Sequence, residues 1–289
     1  MKYKRIRFIF GGNDSDRLLA QDLLPSLLEE TNIDSFAEES DEFVGYADAS
    51  TFDEKLLDKA LELFPLEDVT VDYVITEIQD QDWNEQWEQN GFDPIVIGDK
   101  LCIHDKYHLP EQTYLYDILI DPRMAFGSGT HDTTQMIVGH LLTLSLTDKN
   151  VLDCGCGTGI LSIAALKLGA LHAFCYDIDQ WSVDNTLSNA AQNNVSGRIE
   201  VECGDVSVLN SERHIASYDV VMANINRNIL LSDIFSFVRS MKEGGQLILS
   251  GFYTDDESLL EEKASSYGLE VLVRYVSNGW SCLVFRKKH

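Results

Sequence analysis

The sequence predicts an α/β protein: a doubly wound, mostly parallel sheet of seven strands, preceded by a smaller α+β domain. Three observations carry this reading. From residue 132 onward, apolar runs of strand length alternate with segments of helical period, the pattern of strands joined by crossover helices. Residues 3–78 instead read strand, helix, strand, helix, strand, which suits helices on one face of an antiparallel sheet. A chain of 289 residues has room for two domains at the usual ~100–200 residues each.

The first domain is expected over residues 1–78. Residues 3–10 alternate as a strand. Asp14 or Asp16 can cap a helix through Leu18, Leu19, Leu23, Leu24, Leu27 and Leu28, which recur at helical spacing. Ser35 to Ala47 reads as one or two strands, 53–64 as an amphipathic helix and 70–78 as an alternating strand. A linker is expected at 79–110. It opens with an acidic stretch carrying Trp83 and Trp87, an i, i+4 pair suited to packing one helix face. Short strand-like pieces follow at 95–97, 101–103 and 114–120, separated by Gly98-Asp99 and Leu109-Pro110.

The second domain is expected over 111–289. A helix at 132–145 leads into strand 150–153, helix 159–168, strand 172–177, helix 180–193 and strands 198–203 and 218–223. Helix 228–240, strand 246–250, helix 255–267 and strand 269–276 follow. Asn278-Gly279 then offers a hairpin turn into a last antiparallel strand, 280–286.

Composition excludes several classes. No apolar run reaches the ~20 residues of a membrane span, and Gly11-Gly12-Asn13-Asp14 breaks the short run Ile6 to Phe10 before it could act as a signal segment. A cytoplasmic protein is expected. The 48 acidic residues against 22 basic ones, a net charge of -26, argue against nucleic acid as the main partner, because such binders need a basic footprint. The acidity suits a basic partner, or simply solubility. Cys154-x-Cys156 is not a zinc spacing, and the six cysteines are expected as thiols with no metal.

Chemistry concentrates at the ends of the second domain's strands. Gly155, Gly157 and Gly159 follow a strand and open a helix, letting the backbone turn sharply and approach a ligand closely. Their G-x-G-x-G spacing differs from the G-x-G-x-x-G of dinucleotide sites. With Asp153 just before it, the loop suits a ligand lacking phosphate. Asp177 ends the next strand, 18 residues past Gly159, near the ~20 expected of an acid that binds a ribose diol. Asp179 fits a helix cap better. Asp205 follows the third strand and can meet an adenine edge or serve an ordinary turn. Asn224 ends the fourth. All lie at carboxyl ends of successive parallel strands, where open α/β sheets bind ligands.

These motifs resemble those of class I S-adenosylmethionine-dependent methyltransferases. More narrowly, Asp121-Pro122-Arg123-Met124-Ala125-Phe126-Gly127-Ser128-Gly129-Thr130-His131-Asp132-Thr133-Thr134 resembles the hallmark segment of the bacterial methyltransferase of ribosomal large-subunit protein L11, the PrmA family. Asp82-Trp83-Asn84-x-x-Trp87, Pro94-Ile95-x-Ile97-Gly98-Asp99 and Asn224-Ile225 also resemble it, so the similarity spans nearly the whole chain. Arg123, Ser128 and Asn226-Arg227 depart from the family pattern. The resemblance implies a Rossmann-like methyltransferase domain, with the family's cofactor contacts falling on Thr134, Gly155, Asp177 and Asn224, and an N-terminal domain that recognises substrate; Gly157 of the loop and Asp205 at the third strand end are further cofactor candidates by position. It implies methyl transfer from S-adenosylmethionine to lysine and α-amino groups of a basic ribosomal protein.

Such a reaction needs alignment and a neutral amine rather than a strong base, so no general base is assigned. Asn224 and Phe126 are the candidates for orienting the amine; Phe126 equally suits cofactor or core packing. His131 either accepts a proton or hydrogen-bonds locally. The competing readings are a class I methyltransferase for another protein or small molecule, or a non-catalytic cofactor-binding module that docks on ribosomes. Asn224-Ile225-Asn226-Arg227 lacks the Asn-Pro-Pro-Tyr run of glutamine methylators, and the glycine spacing disfavours a nicotinamide oxidoreductase.

Overall fold

The computed structural model describes residues 3–12, 20, 24, 27–28, 31–33, 35–39, 42–49, 52–62, 64, 69–78, 91–121 and 127–288. The chain divides into two compact units, Met1–Gln89 and Asn90–His289.

In the first unit, β1 (Tyr3–Phe10), β2 (Ser35–Glu39), β3 (Glu42–Asp48) and β4 (Val71–Ile78) form an antiparallel sheet ordered β2-β3-β1-β4. Period-two alternation gives the sheet one buried face. Ile6 and Phe8 of β1 are buried against Leu24, Leu28 and Leu57. Leu57 comes from α1 (Glu54–Glu62), whose apolar side faces the sheet. Of the helix expected around 18–28, only Ala20, Leu24, Leu27 and Leu28 are described; Asp14, Asp16, Trp83 and Trp87 lie outside the described residues.

The second unit opens with a small sheet. β5 (Ile95–Ile97) and β6 (Leu101–His104) form a hairpin, and β7 (Tyr116–Leu119) runs parallel to β6. Residues 95–104, expected within a linker, therefore belong to the larger unit. Leu101, Ile103 and Ile118 are fully buried in the same core as Ile137 and Leu141 of α2 (Asp132–Leu141).

The main sheet contains β8 (Asn150–Cys154), β9 (His172–Asp177), β10 (Ile199–Cys203), β11 (Tyr218–Asn224), β12 (Met241–Tyr253), β13 (Leu269–Ser277) and β14 (Trp280–Lys287). Their order is β10-β9-β8-β11-β12-β14-β13. Only β14 runs against the others. It enters through Asn278-Gly279, both at positive φ (48° and 82°), as a two-residue hairpin turn requires. Helices α3 (Ile160–Lys167), α4 (Gln180–Gln192), α5 (Arg227–Ser240) and α6 (Glu257–Ser266) connect the strands. One buried cluster includes Val151, Ile163, Val220 and Ile248; another includes Leu152, Phe237, Leu249 and Leu260. Successive strand residues feed opposite clusters, so both sheet faces are covered. The strand order reverses between β8 and β11, which opens a crevice beyond their carboxyl ends.

Candidate functional site

The loop from Gly155 to Gly159 leaves β8 at that crevice, with Gly155, Gly157 and Gly159 at φ of 73°, 54° and 78°. A Cβ on Gly155 would lie 2.6 Å from Ile225 Cγ2, so only glycine fits. The N–H groups of Gly155 and Cys156 donate to Tyr176 O at 2.9 and 3.1 Å. The Gly157 N–H donates to Asp177 Oδ2 at 2.9 Å. From α4, Thr186 Oγ1 donates to Gly157 O at 2.8 Å and Asn189 Nδ2 to Thr158 O at 3.0 Å. Thr158 Oγ1 donates to Gly127 O at 2.6 Å, tying the loop to the 121–134 segment. These bonds fix the loop's shape from three sides, and a preshaped loop costs less to order on binding.

Asp177, half-buried at the end of β9, accepts the Gly157 N–H on Oδ2 and the Asp179 N–H on Oδ1, at 3.1 Å. A carboxylate offers about four lone-pair sites, so acceptor capacity remains on both oxygens. Asp179 accepts the Trp181 N–H at 3.0 Å and caps α4, which separates the two acids as their positions suggested. Asp205 is exposed and accepts the Ser207 N–H at 2.9 Å. It caps the 3-10 turn Val206–Asn210, the ordinary-turn alternative for this residue.

Asn224 ends β11, paired with Ser250 of β12. Its Nδ2 donates to Oγ1 of buried Thr134 at 3.4 Å. Thr134 sits in the first turn of α2, and His131 caps that helix, its Nδ1 accepting the Thr133 N–H at 3.3 Å. The ring nitrogen is thus engaged locally. Phe126 lies outside the described residues.

Three features escaped sequence reasoning. Asp153 is fully buried; its Oδ2 accepts from the Ser162 N–H at 3.1 Å and Oγ at 2.9 Å, while Oδ1 has no partner among the described residues. Burial pushes this carboxyl up to about 7, and the nearby Asp177 charge adds to the rise. Gly251, at φ 94°, allows the backbone of Ile225 to lie where a Cβ would be. Finally, Asn185, Asn189 and Asn193 line one face of α4 and its C-cap and bind backbone at 119–121. Asn185 Nδ2 donates to Asp121 O (2.9 Å), Asn189 Oδ1 accepts the Asp121 N–H (2.9 Å), and Asn193 holds both Leu119 N–H (3.1 Å) and O (2.6 Å). The four-residue asparagine spacing was the available signal.

A separate cavity of about 460 Å³ opens at the amino ends of the strands, lined by residues including His172, Glu200, Arg213 and Lys242. Its charges answer one another. Arg213 pairs with Glu200 (2.8 Å) and Glu202 (2.9 Å), and Lys242 with Asp219 (2.7 Å). The glycine loop lies at the opposite ends of the same strands.

The fold and the strand-end constellation define a Rossmann-like α/β domain of the methyltransferase class. A family model described as "Ribosomal protein L11 methyltransferase (PrmA)" matches residues 14–288. The chain is 42% identical over 267 residues to the ribosomal protein L11 methyltransferase of Phocaeicola vulgatus, covering 92% of this chain and 94% of that one. It is 36% identical over 247 residues to the enzyme of the same name from Escherichia coli O8, covering 84% and 80%. A crystal structure of a ribosomal protein L11 methylase from Lactobacillus delbrueckii subsp. bulgaricus superposes with a TM-score of 0.62 at 28% identity, covering 68% of this chain and all of that one. The chain belongs to the ribosomal protein L11 methyltransferase (PrmA) family. Among the described residues no helix is long and apolar enough to cross a membrane.

Proposed function

We propose that this protein transfers methyl groups from S-adenosylmethionine to lysine side-chain and α-amino groups of ribosomal protein L11. The observation that carries this is the convergence of the glycine loop, Asp177 and Asn224 on one crevice in a chain that belongs to this family. The cradle fits the cofactor: Gly155, Gly157 and Gly159, all at positive φ, bring bare backbone to the crevice, and Asp177 keeps acceptor capacity on both oxygens beside it. In this reading Gly155 and Gly157 make room for the cofactor, Asp177 accepts from its ribose hydroxyls, and Thr134 and Asn224 close the acceptor side. Asp205 shapes the turn beside it and is the candidate for the adenine edge. When bound, the cofactor supplies an electrophilic sulfonium methyl.

The chain's own task is to present an amine with its lone pair free. Asn224 is suited to this. Its NH₂ is committed to Thr134 Oγ1, so its carbonyl Oδ1 is left to accept an N–H from the incoming amine. An acceptor at that point orients the nitrogen without competing for its lone pair. A lysine amine has a reference pKa near ~10.4, and enclosure in a water-poor crevice favours its neutral form. Phe126, in the hallmark segment, would supply apolar enclosure.

The test is incubation with radiolabelled cofactor and a mixture of free ribosomal proteins and ribosomal RNA. Label is expected in the L11 band alone. Asn224→Ala should lower kcat/KM for the protein roughly 10²-fold, the scale of lost alignment, while cofactor affinity changes less. Label in RNA, or none in any protein, would refute the proposal.

A further inference from the structure

Beyond the crevice, three aromatic rings from distant parts of the chain meet. Tyr253, the last residue of β12, stacks on Trp280, the first residue of β14, with ring centroids 4.2 Å apart and planes at 27°. The two are register partners across the sheet. The edge of the Trp280 ring meets His131, at 4.8 Å and 71°. A continuous set of contacts links this cluster to the transfer site. His131 caps α2; α2 carries Thr134, which accepts from Asn224; Asn224 pairs with Ser250, three residues before Tyr253. Tyr253 is 55% exposed although its ring is stacked on Trp280.

The surrounding charge is selective. Asp132, next to His131, accepts from Ser277 Oγ at 2.8 Å and Asn278 Nδ2 at 3.1 Å. Those two bonds, that from Asn278 first, hold its carboxyl below the usual range, so it is negative at neutral pH. Asp255 is exposed two residues beyond Tyr253. Arg227, the first residue of α5, is matched by Asp256 at 2.7 Å. An aromatic ring at the surface of so acidic a chain attracts an ammonium through its quadrupole and through long-range charge.

Resting on the proposed protein-methylating function, we infer that Tyr253, backed by Trp280, forms a cation–π shelf that seats a lysine side chain of the acceptor beside the transfer site. The occupant is a cationic, lysine-bearing segment, chosen by the ionised Asp132 next to His131 in the chain and by the chain's net charge of -26. Alkylammonium groups keep their charge when methylated, so the shelf holds methylated and unmethylated lysines alike.

Two measurements on the full chain test this. First, steady-state kinetics with L11 compare Tyr253→Phe, which keeps the ring face, with Tyr253→Leu, which keeps only apolar bulk. Exposed to desolvated cation–π contacts correspond to about 2- to 30-fold in affinity. The leucine variant should raise KM for L11 within that range at unchanged KM for the cofactor and unchanged melting temperature, and the phenylalanine variant should match the parent. Second, calorimetric titration with a lysine-rich peptide, and with the same peptide carrying norleucine for lysine, should show lysine-dependent binding that Tyr253→Leu weakens. If L11 is methylated but both variants behave as the parent, the shelf is refuted and the function stands. If L11 is not methylated yet the lysine peptide binds through Tyr253, the shelf stands and the function falls. Equal loss in both variants would also refute the shelf, since it would point to the hydroxyl.

Discussion

Asp153 shows how much one side chain can reveal when its surroundings are known. It closes the central strand inside the sheet, fully buried, with Ser162 satisfying one oxygen and no described residue satisfying the other. Its carboxyl is pushed up to about 7 by burial, whereas an unfolded aspartate titrates near ~3.9. Between those values the unfolded chain has released this proton and the folded chain still holds it. Stability therefore falls as pH rises through that window. Asp153→Asn keeps an oxygen for Ser162 and removes the ionisation. Relative to the parent, the variant should gain stability by roughly 2–4 kcal/mol between pH 4 and pH 8, since a tenfold difference in proton affinity between folded and unfolded chains is worth about 1.4 kcal/mol. Urea melts at both pH values check this; parallel profiles for the two proteins would refute it. In the sequence Asp153 is only an acid before a glycine loop. Its burial follows from both faces of β8 being covered, which depends on strand order.

At the scale of the element, α4 does more than connect two strands. Thr186 and Asn189 hold the glycine loop, and Asn185, Asn189 and Asn193 hold the backbone at 119–121 that leads into the hallmark segment. One helix thus registers both halves of the crevice. Asn189→Ala would leave the Asp121 N–H and the Thr158 O without this partner. Each buried orphan costs about 1–3 kcal/mol, so a loss of roughly 2–5 kcal/mol is expected by denaturant melts, together with weaker cofactor binding by calorimetry. Exposed Leu187 on the same helix serves as the comparison: Leu187→Ala should leave binding intact. The strand–helix alternation was legible because fully covered strands are apolar throughout and their helices keep a 3.6-residue period. The Asn278-Gly279 turn was legible because positive φ favours those residues. The asparagine row was not, since polar residues on a helix ordinarily signal a solvent face. Nor was the membership of β5 and β6, because three- and four-residue strands carry too little pattern to show which sheet they join. β12 runs from Met241 to Tyr253, past the expected 246–250; its Gly244-Gly245 start has little apolar pattern, and its end is paired with Trp280 of β14.

For the whole molecule, each unit closes its own core. The first draws on residues between Ile6 and Ile75, the second on residues between Phe92 and Phe285. All the strand-end residues of the proposed transfer site belong to the second, and the sequence adds a separate sheet domain of nearly ninety residues. A small-molecule acceptor would need no such domain, whereas a folded protein acceptor must be gripped away from the reacting amine before that amine can be aligned. Binding energy from remote contacts is what lowers the cost of that alignment. On this argument we propose that the first domain recognises the acceptor protein. Removing residues 1–89 should leave cofactor affinity within about twofold by calorimetry, because every described contact of the glycine loop lies within the second unit. It should reduce kcat/KM for L11 by at least about 10²-fold, the loss expected when a bound acceptor becomes a freely diffusing one. Methylation of a short lysine peptide, already a poor substrate, should barely change. Normal turnover of L11 by the truncated chain would assign recognition to the catalytic unit instead, with the shelf at Tyr253 as the place to look for it.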